Sequence, residues 1–362
     1  MTVYVIYAAG FTLMLFFFTK RKSIFIPVLL LFVLNAIRSY SVGTDYLNYL
    51  ASYPPSDSLA SFFNSLSFNT FLENIGRDKS VEIGWALLTY LGGNYSMPFY
   101  MINLIAVSVI LFFTTGMIYK QSPHFYFSIY LFLMLYLFYP SFNIMRQSVS
   151  IAIFGYSIRY INEKKPIFYL AFCILALMFH SSAILLPLLY LFRYVRLSSV
   201  VSIVILVLSL IIPIMGWDKT LLTFLINEKT LQVYQGYVED IDYSSRNIMG
   251  NIYKLFPAIV QSMVFMYCAI RMKGSRNIYM ILWFAGILIL NITSDFVYLY
   301  RISGYFQIAQ IIALPMVVYG SEPAAKMDRL SYLVILAYGA LIYSYKLYSE
   351  FDGIVPYTTI FN

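Results

Sequence analysis

Four polar residues stand at helical spacing inside one otherwise apolar stretch of the sequence. At positions i, i+3, i+4 and i+7 are Asn143, Arg146, Gln147 and Ser150. This spacing places them on one face of a helix. A polar stripe of this kind faces either the interior of a helix bundle or a wet cavity. A hydrogen-bond network between helices is the structural alternative.

Other ionisable side chains lie next to or within apolar stretches, where a charge is costly and is therefore a candidate for function. Taken singly, each can equally be an interfacial residue that extends its charged end to water. As a group they favour a functional site, because the topology below brings all of them to one side of a membrane. The candidates are Arg38, Asp45, Glu82, Arg146, His180, Arg246, Asp295 and Arg301.

Several familiar kinds of chemistry find no support in the residue pattern. The two histidines, His124 and His180, stand apart, and Cys173 and Cys268 lie inside apolar runs without metal or disulfide spacing. No nucleophile elbow, phosphate loop or dinucleotide fingerprint occurs. The sequence therefore indicates no cofactor and no metal site, although acidic loop residues leave room for a divalent metal ion. The net charge of +8 comes from scattered basic residues, which does not indicate nucleic acid.

The elements that must hold these residues are transmembrane helices. Of the 362 residues, 61% are hydrophobic and 11% are charged, too little charge to cover a soluble domain of this length. The 35 Tyr and 31 Phe include the aromatic belt expected at membrane interfaces. Since one crossing takes about 20 residues, the chain accommodates about 12 transmembrane helices, within a range of about 11–14. We predict an all-α integral membrane protein with a single polytopic domain over residues 1–362.

The apolar stretches give approximate bounds for these spans. The first has no basic segment before it and no small-residue cleavage site after it, which predicts a retained helix rather than a signal peptide. The two stretches around Ser181 and Ser182 are short and predict either two thin helices or a broken pair bent at His180. The predicted spans are 3–19, 24–38, 98–119, 124–141, 144–161, 166–180, 183–195, 198–216, 251–270, 277–293, 301–320 and 330–346.

Lysine and arginine set the predicted orientation. If Lys20, Arg21 and Lys22 face the cytoplasm, most basic residues of the other short loops face it too, as the positive-inside rule requires. The opposite side then carries two larger loops, at about 39–97 and 217–250. Loops of this length are usually functional or disordered. Within the first, residues 81–91 predict a short amphipathic or re-entrant helix.

Short motifs in a fixed order resemble a known family over nearly the whole chain. The pattern is similar to the EpsG-like family of bacterial exopolysaccharide and O-antigen (Wzy-type) polymerases. The motifs are Arg38 with Val42-Gly43-Thr44-Asp45 and Tyr49, Glu82-Ile83-Gly84, Asn143-Ile144-Met145-Arg146-Gln147, Phe179-His180-Ser181-Ser182-Ala183, Arg301 with Tyr305-Phe306, and Pro356-Tyr357.

The resemblance implies a GT-C-like fold in the bacterial cytoplasmic (inner) membrane, with an active site that faces the periplasm or the cell exterior. Such an enzyme transfers a growing glycan from undecaprenyl diphosphate to the next lipid-linked oligosaccharide repeat unit. Its partners are these lipid-linked units and the lipid bilayer, and a chain-length regulator is a further partner that such an enzyme can have. The product is O-antigen, capsule or exopolysaccharide.

The implied reaction suggests roles for the candidate residues. A departing diphosphate needs positive charge, and arginine binds phosphate through two parallel hydrogen bonds. The diphosphate candidates are Arg38, Arg146 and Arg301, with Arg246 as a fourth. The attacking hydroxyl benefits from a general base, for which Asp45 and His180 are preferred; Glu82 is either a third candidate or a structural partner of an arginine. The sugar-binding candidates are Asn143, Gln147, Tyr49 and Tyr305.

Two other classes of membrane protein fit part of this pattern. A lipid-linked oligosaccharide flippase or other transporter would also have about 12 spans and an arginine-lined cavity. Transporters commonly carry internal repeats and a charged site near the midplane, whereas here no repeat is evident and the charges lie towards one side. A glycan ligase uses the same donor, so only the ordered motifs favour a polymerase over it.

Overall fold

The computed structural model describes residues 1–17, 24–53, 82–215, 255–272, 277–293, 297–320 and 327–361, and most of these residues lie in helices. These residues form no strand, and the only extended pairing among them is an isolated antiparallel bridge between Arg38 and Thr359. The predicted all-α class is thereby confirmed. Arg246, Asp295, the predicted loop 217–250 and much of the loop 39–97 lie outside the described residues.

Most of the α-helices lie within apolar stretches that predict a span. Among the described residues, 3₁₀ helices supplement them at Tyr139–Phe142, Ser181–Tyr194 and Phe351–Gly353. The α-helices, numbered in chain order, are α1 Thr2–Phe17, α2 Phe25–Ala36, α3 Tyr46–Ala51, α4 Ile83–Asn94, α5 Phe99–Gln121, α6 Phe125–Met134, α7 Met145–Asn162, α8 Pro166–Leu177, α9 Ser199–Ile214, α10 Phe256–Arg271, α11 Ile278–Thr293, α12 Val297–Gln307, α13 Gln310–Tyr319 and α14 Arg329–Tyr348.

In the part of the chain that the structure describes, three helical stretches are long and apolar enough to cross a membrane. They are Phe99–Gln121, Arg301–Tyr319 and Arg329–Tyr348. Shorter apolar helices of 10–17 residues stand at most of the other predicted spans. The helical, apolar architecture is that of a membrane protein, and the number of about 12 spans stays a prediction.

The first of two compact units comprises Met1–Tyr190, Tyr319–Lys326 and Gly339–Asn362. Its central element is α7, which is buried along most of its length between α5 and α8. All residues of α6 are buried as well, and α1 packs against that helix. Because α7 is enclosed on both sides, its first turn, which carries Arg146, is held firmly in place.

The second unit comprises Leu191–Val318 and Met327–Tyr338. Helices α9, α10 and α11 pack against one another, and α12 packs along α11. Buried polar side chains hydrogen-bond across these helices; for example, Asn291 Nδ2 donates to Ser209 Oγ at 2.8 Å. Such pairing is expected wherever water is excluded from helix interfaces.

The predicted span 124–141 is interrupted in the structure. Its helix ends at Met134, Tyr136 adopts a φ of +63°, and a 3₁₀ turn follows at Tyr139–Phe142. Pro140 explains the break, because its ring clashes with the carbonyl four residues earlier, that of Tyr136, and it lacks an N–H to donate. The span prediction was wrong here, since the chain turns before it begins α7.

The two short stretches around Ser181 are separated at His180. Helix α8 ends at Leu177, and Ser181–Tyr194, which contains Pro187, forms a 3₁₀ helix rather than an α-helix. This agrees with the alternative of a pair broken at His180. A short helix, Ile83–Asn94, also stands where residues 81–91 predicted one.

Candidate functional site

Most of the predicted site residues of the first unit meet at one of its ends. There the chain leaves α2 at Arg38, enters α4 at Glu82, enters α7 beside Arg146 and leaves α8 at His180. Direct contacts join these four parts of the chain. Alternating helix directions place the start of α7 beside the end of α8, so residues distant in sequence converge.

Arg146 and Glu82 form an ion pair at this end. The Nη1 atom of Arg146 lies 2.6 Å from Oε2 of Glu82. The other carboxylate oxygen of Glu82, Oε1, accepts a hydrogen bond of 3.2 Å from the backbone N–H of Ser181. The Glu82 side chain is 8% exposed and that of Arg146 is 28% exposed, so the guanidinium, not the carboxylate, remains open to a ligand.

The backbone next to Glu82 docks directly on the end of α8. The N–H of Gly84 donates to the carbonyl of Met178 at 2.6 Å. A Cβ atom at residue 84 would lie 2.8 Å from that carbonyl oxygen, so only glycine allows this approach. The docking brings Glu82 within reach of Ser181, which explains why a glycine follows the glutamate by two positions.

Substitution of Gly84 by alanine is expected to weaken this docking. The added methyl group overlaps the Met178 carbonyl, and overpacking of this kind costs about 1–3 kcal/mol. Thermal unfolding in detergent measures the loss as a lowered midpoint. Gly10→Ala is the matched control, because nothing lies within 4 Å of its added Cβ; equal midpoints for the two variants would contradict the packing argument.

Tyr49 connects the ion pair to the loop that carries Asp45. Its phenol hydrogen-bonds to Arg146, and its ring lies 5.9 Å from the guanidinium carbon. Burial raises the pKa of Tyr49, and Arg146 partly offsets this rise. The negative charges of Asp45 and Glu82 raise the pKa further. The hydroxyl therefore stays protonated at neutral pH, close to one cation and two carboxylates.

Aromatic rings line this part of the unit. Tyr49 lies 5.4 Å from the ring of Trp85 and is stacked with Phe99 at 6.4 Å. Tyr46 and Tyr53 contact the same Phe99 ring. This group of rings packs the short helix α3 onto α4 and α5. The half-buried rings of Tyr49 and Tyr53 are suited to contact the apolar face of a sugar.

Arg38 is a buried cation that holds its own loop. It is 3% exposed, donates from Nη1 to the carbonyl of Val42 at 2.7 Å, and donates from Nη2 to Asn103 Oδ1 at 3.2 Å. Its guanidinium lies 4.7 Å from the ring centres of both Tyr46 and Phe142. Direct contact with a diphosphate would require this closed arrangement to open.

Asn143 ties the same loop to the start of α7. Its Oδ1 accepts from the backbone N–H of Thr44 at 2.7 Å, and its Nδ2 donates to the carbonyl of Asp352 at 2.9 Å. Gly43, with a φ of +100°, lets the loop approach, since a Cβ there would lie 2.5 Å from Asn143 Oδ1. A sugar could use only the remaining hydrogen and lone pair of this amide.

The predicted polar stripe is shorter than the spacing suggests. Asn143 precedes α7 and is not on its helical face, because the turn around Pro140 delays the start of the helix to Met145. Ser150 donates to the carbonyl of Ala176 at 2.9 Å, which is an interhelical bond. Gln147 is 1% exposed. Arg146 is thus the stripe residue with the most open side chain.

In the sequence, Asp45 precedes both residues of the ion pair and His180 follows them. Asp45 is half-buried immediately before α3, and its Oδ1 accepts from Thr44 Oγ1 at 3.2 Å. His180 Nδ1 accepts from the N–H of Ser182 at 3.3 Å and lies 2.6 Å from Ser182 Oγ. A neutral imidazole that accepts at Nδ1 carries its hydrogen on Nε2, so His180 is arranged as a donor at Nε2.

Arg301 and Tyr305 belong to the second unit. Both lie in α12, where Arg301 is half-buried and Tyr305 is 1% exposed. Among the described residues, no three His, Cys, Asp or Glu side chains are grouped to hold a metal ion. The cluster at the end of the first unit consists of Arg38, Asp45, Tyr49, Glu82, Asn143, Arg146 and His180 with their contacts.

Some residues of this end carry no signal in the sequence patterns. Asn103 Nδ2 donates to Asn35 Oδ1 at 2.9 Å, which extends the polar contacts of Arg38 into α2 and α5. Lys346, near the end of α14, is 9% exposed and lies 5.9 Å from the Tyr136 ring. Asn35 and Asn103 could have been found in the sequence, because each is a single asparagine inside an apolar span.

Comparison with known proteins identifies the family to which the chain belongs. No curated protein and no solved structure matches the sequence. The family model described as the EpsG family matches residues 3–359, which include every motif that forms the cluster. The chain therefore belongs to the EpsG family.

Proposed function

We propose that this protein is a membrane glycosyltransferase that polymerises a polysaccharide from lipid-linked repeat units. The growing glycan leaves undecaprenyl diphosphate and is joined to the next unit on the extracytoplasmic side of the cytoplasmic membrane. The observation that carries this proposal is the partly open Arg146 guanidinium, held by buried Glu82 where the family's motifs meet. O-antigen, capsule and exopolysaccharide are all products of this reaction class.

The chemistry is a displacement at an anomeric carbon. An acceptor hydroxyl oxygen forms the new glycosidic bond, the bond from the carbon to the diphosphate oxygen breaks, and the hydroxyl proton passes to a base. Negative charge grows on the departing diphosphate, so a fixed cation beside it lowers the barrier. Arg146 supplies that cation, with Glu82 and Tyr49 fixing its orientation. Arg301, which lies in the second unit, and Arg246, which lies outside the described residues, stay diphosphate candidates on the basis of the sequence alone.

Asp45 is the base we favour among the three candidates. Both oxygens of Glu82 are engaged, one by Arg146 and the other by Ser181, and proton uptake would break the ion pair. His180 accepts at Nδ1 and carries its hydrogen on Nε2, so it is suited to donate to a phosphate or sugar oxygen. Asp45 is half-buried, and its charge acts on the phenol of Tyr49, which binds Arg146. A carboxylate so placed can take the acceptor proton.

Sugar recognition is assigned to the aromatic and amide side chains near Arg146. The half-buried Tyr49 offers a ring face and packs against the buried Trp85, and the buried Gln147 lies one residue after the arginine. Aromatic faces suit the apolar faces of sugar rings, while an amide pairs with hydroxyls. Arg38 and Asn143 contribute indirectly, because they hold the loop that carries Asp45.

The leaflet in which the lipid-linked unit accumulates distinguishes the polymerase from the alternatives. A strain that lacks this protein is expected to accumulate single lipid-linked units on the outer leaflet, accessible to an externally added glycan-cleaving enzyme. Inner-leaflet accumulation would contradict the proposal and favour a flippase. Polymer that forms normally but is not attached to its final acceptor would indicate a ligase.

A further inference from the structure

The segment that follows α14 lies across the loop between α2 and α3. We call residues 352–361 the clasp and residues 37–45 the Arg38 loop. Three backbone hydrogen bonds join them: Gly43 N–H to the carbonyl of Gly353 at 3.0 Å, Ser39 N–H to Thr358 at 2.9 Å, and Ile360 N–H to Ile37 at 3.0 Å. The hydroxyls of Ser41 and Thr358 also lie 3.0 Å apart. The clasp therefore pairs along most of the loop.

Two tyrosines anchor the clasp to the first helices. Tyr4 in α1 donates from its hydroxyl to the carbonyl of Ile354 at 2.6 Å. Tyr357, within the clasp, donates to the carbonyl of Leu34 in α2 at 2.7 Å. The two rings meet edge to face with centroids 5.5 Å apart. Because these bonds are directional and Ile354 is fully buried, the clasp has a defined position.

Asn143 connects the clasp, the Arg38 loop and α7 through one side chain. Its amide oxygen binds the N–H of Thr44, the residue before Asp45, and its amide nitrogen binds the carbonyl of Asp352. Asn143 also stands three residues before Arg146. This amide thus joins the loop that carries Asp45 to the start of the helix that carries Arg146.

We propose that Asn143 and the clasp are positioning elements that keep Asp45 at a fixed distance from Arg146 and do not themselves touch the substrate. The inference rests on the proposed function, because it matters only if Asp45 and Arg146 act on the same reacting centre. A base must lie within hydrogen-bond reach of its proton, and a displacement of about 1 Å can cost roughly 100-fold in rate. Loss of the amide bridge frees the loop without removing any catalytic group.

The first test replaces the bridge in two ways. Asn143→Leu removes both hydrogen bonds, whereas Asn143→Asp keeps the acceptor for Thr44 N–H and loses the donor to Asp352. Asn143→Leu is expected to lower kcat by about 10- to 100-fold with little change in KM for the lipid-linked unit. Asn143→Asp is expected to lie between this variant and the native protein. A rise in KM with unchanged kcat would overturn the proposal, since it would indicate direct substrate contact.

The second test ties the clasp to the Arg38 loop covalently, so that the loop is held although the Asn143 bridge is missing. Ser41→Cys and Thr358→Cys introduce thiols where two hydroxyl oxygens lie 3.0 Å apart, which suits a disulfide. In the Asn143→Leu background, oxidation is expected to raise kcat by at least about tenfold, and reduction to reverse this increase. Each single cysteine variant is the matched control. A disulfide that forms without recovery, or one that fails to form by mass spectrometry, would overturn the proposal.

The native background separates this inference from the function on which it rests. If the unsubstituted protein forms no polymer from lipid-linked units, the proposed function fails. If it forms polymer but Asn143→Leu does so at the same rate, only the positioning role of Asn143 and the clasp fails.

Discussion

Replacement of Arg146 by alanine is expected to abolish long glycan chains while single repeat units still appear. The guanidinium is the partly open cation of the cluster, and removal of one preorganised donor from developing charge typically costs about 100- to 1,000-fold. Arg146→Lys should recover little of this, because an ammonium group lacks the planar fork that binds phosphate oxygens. The chain-length distribution on a gel measures both effects.

The buried partner of Arg146 makes a folding control necessary. Removing Arg146 alone leaves Glu82, which is 8% exposed, without its ion-pair partner, and such a loss costs about 3–5 kcal/mol. The double variant Arg146→Gln with Glu82→Gln removes both charges and should fold better while remaining inactive. Arg159→Ala, at the other end of α7, should keep normal chains. A normal chain-length distribution in the folded double variant would contradict the role of Arg146.

Replacement of Asp45 by asparagine is expected to stop glycan transfer while the donor still binds. Asparagine keeps the size of the side chain and an oxygen for the Thr44 hydroxyl, but it takes up no proton at neutral pH. General-base catalysis is worth about 100- to 10,000-fold, so kcat should fall within this range. Single-turnover assays with labelled lipid-linked units measure kcat and donor affinity separately.

Two variants serve as comparisons for Asp45→Asn. Glu163→Gln removes an exposed carboxylate that pairs with Lys165 after α7, and it should leave transfer unchanged. His180→Gln removes the Nε2–H donor and is expected to weaken transfer less than Asp45→Asn does. Full transfer by Asp45→Asn together with complete loss in His180→Gln would exchange the two roles and contradict the assignment of the base.

Helix positions and the membrane class were predictable from the sequence, because apolar runs and scarce charge report directly on burial in lipid. The break at Pro140 was predictable in principle, since proline excludes a continuous helix through the fourth residue before it. It was missed because hydropathy alone joins residues 124–141 into one run. The same turn moves Asn143 off the helical face on which its spacing had placed it.

The composition of the cluster was only partly predictable. Candidate residues such as Arg146 and Glu82 follow from the cost of charge near apolar helices, but their pairing joins positions 64 residues apart. The clasp was beyond reach of the same reasoning. Its bonds to residues 37–43 span most of the chain and are made largely by backbone groups, which leave no mark in residue types. Burial of Arg38 likewise depends on Asn103 and two rings from separate elements.

Reconstitution with purified lipid-linked repeat units is the decisive assay for polymerisation by this protein. Proteoliposomes that contain the native protein, and no nucleotide sugar or ATP, are expected to convert the units into a ladder of longer glycans. Undecaprenyl diphosphate should be released in equimolar amount to the glycosidic bonds formed, and the double variant Arg146→Gln with Glu82→Gln should form neither. Units that cross the bilayer without forming a ladder, or a ladder that requires a nucleotide sugar, would contradict the account.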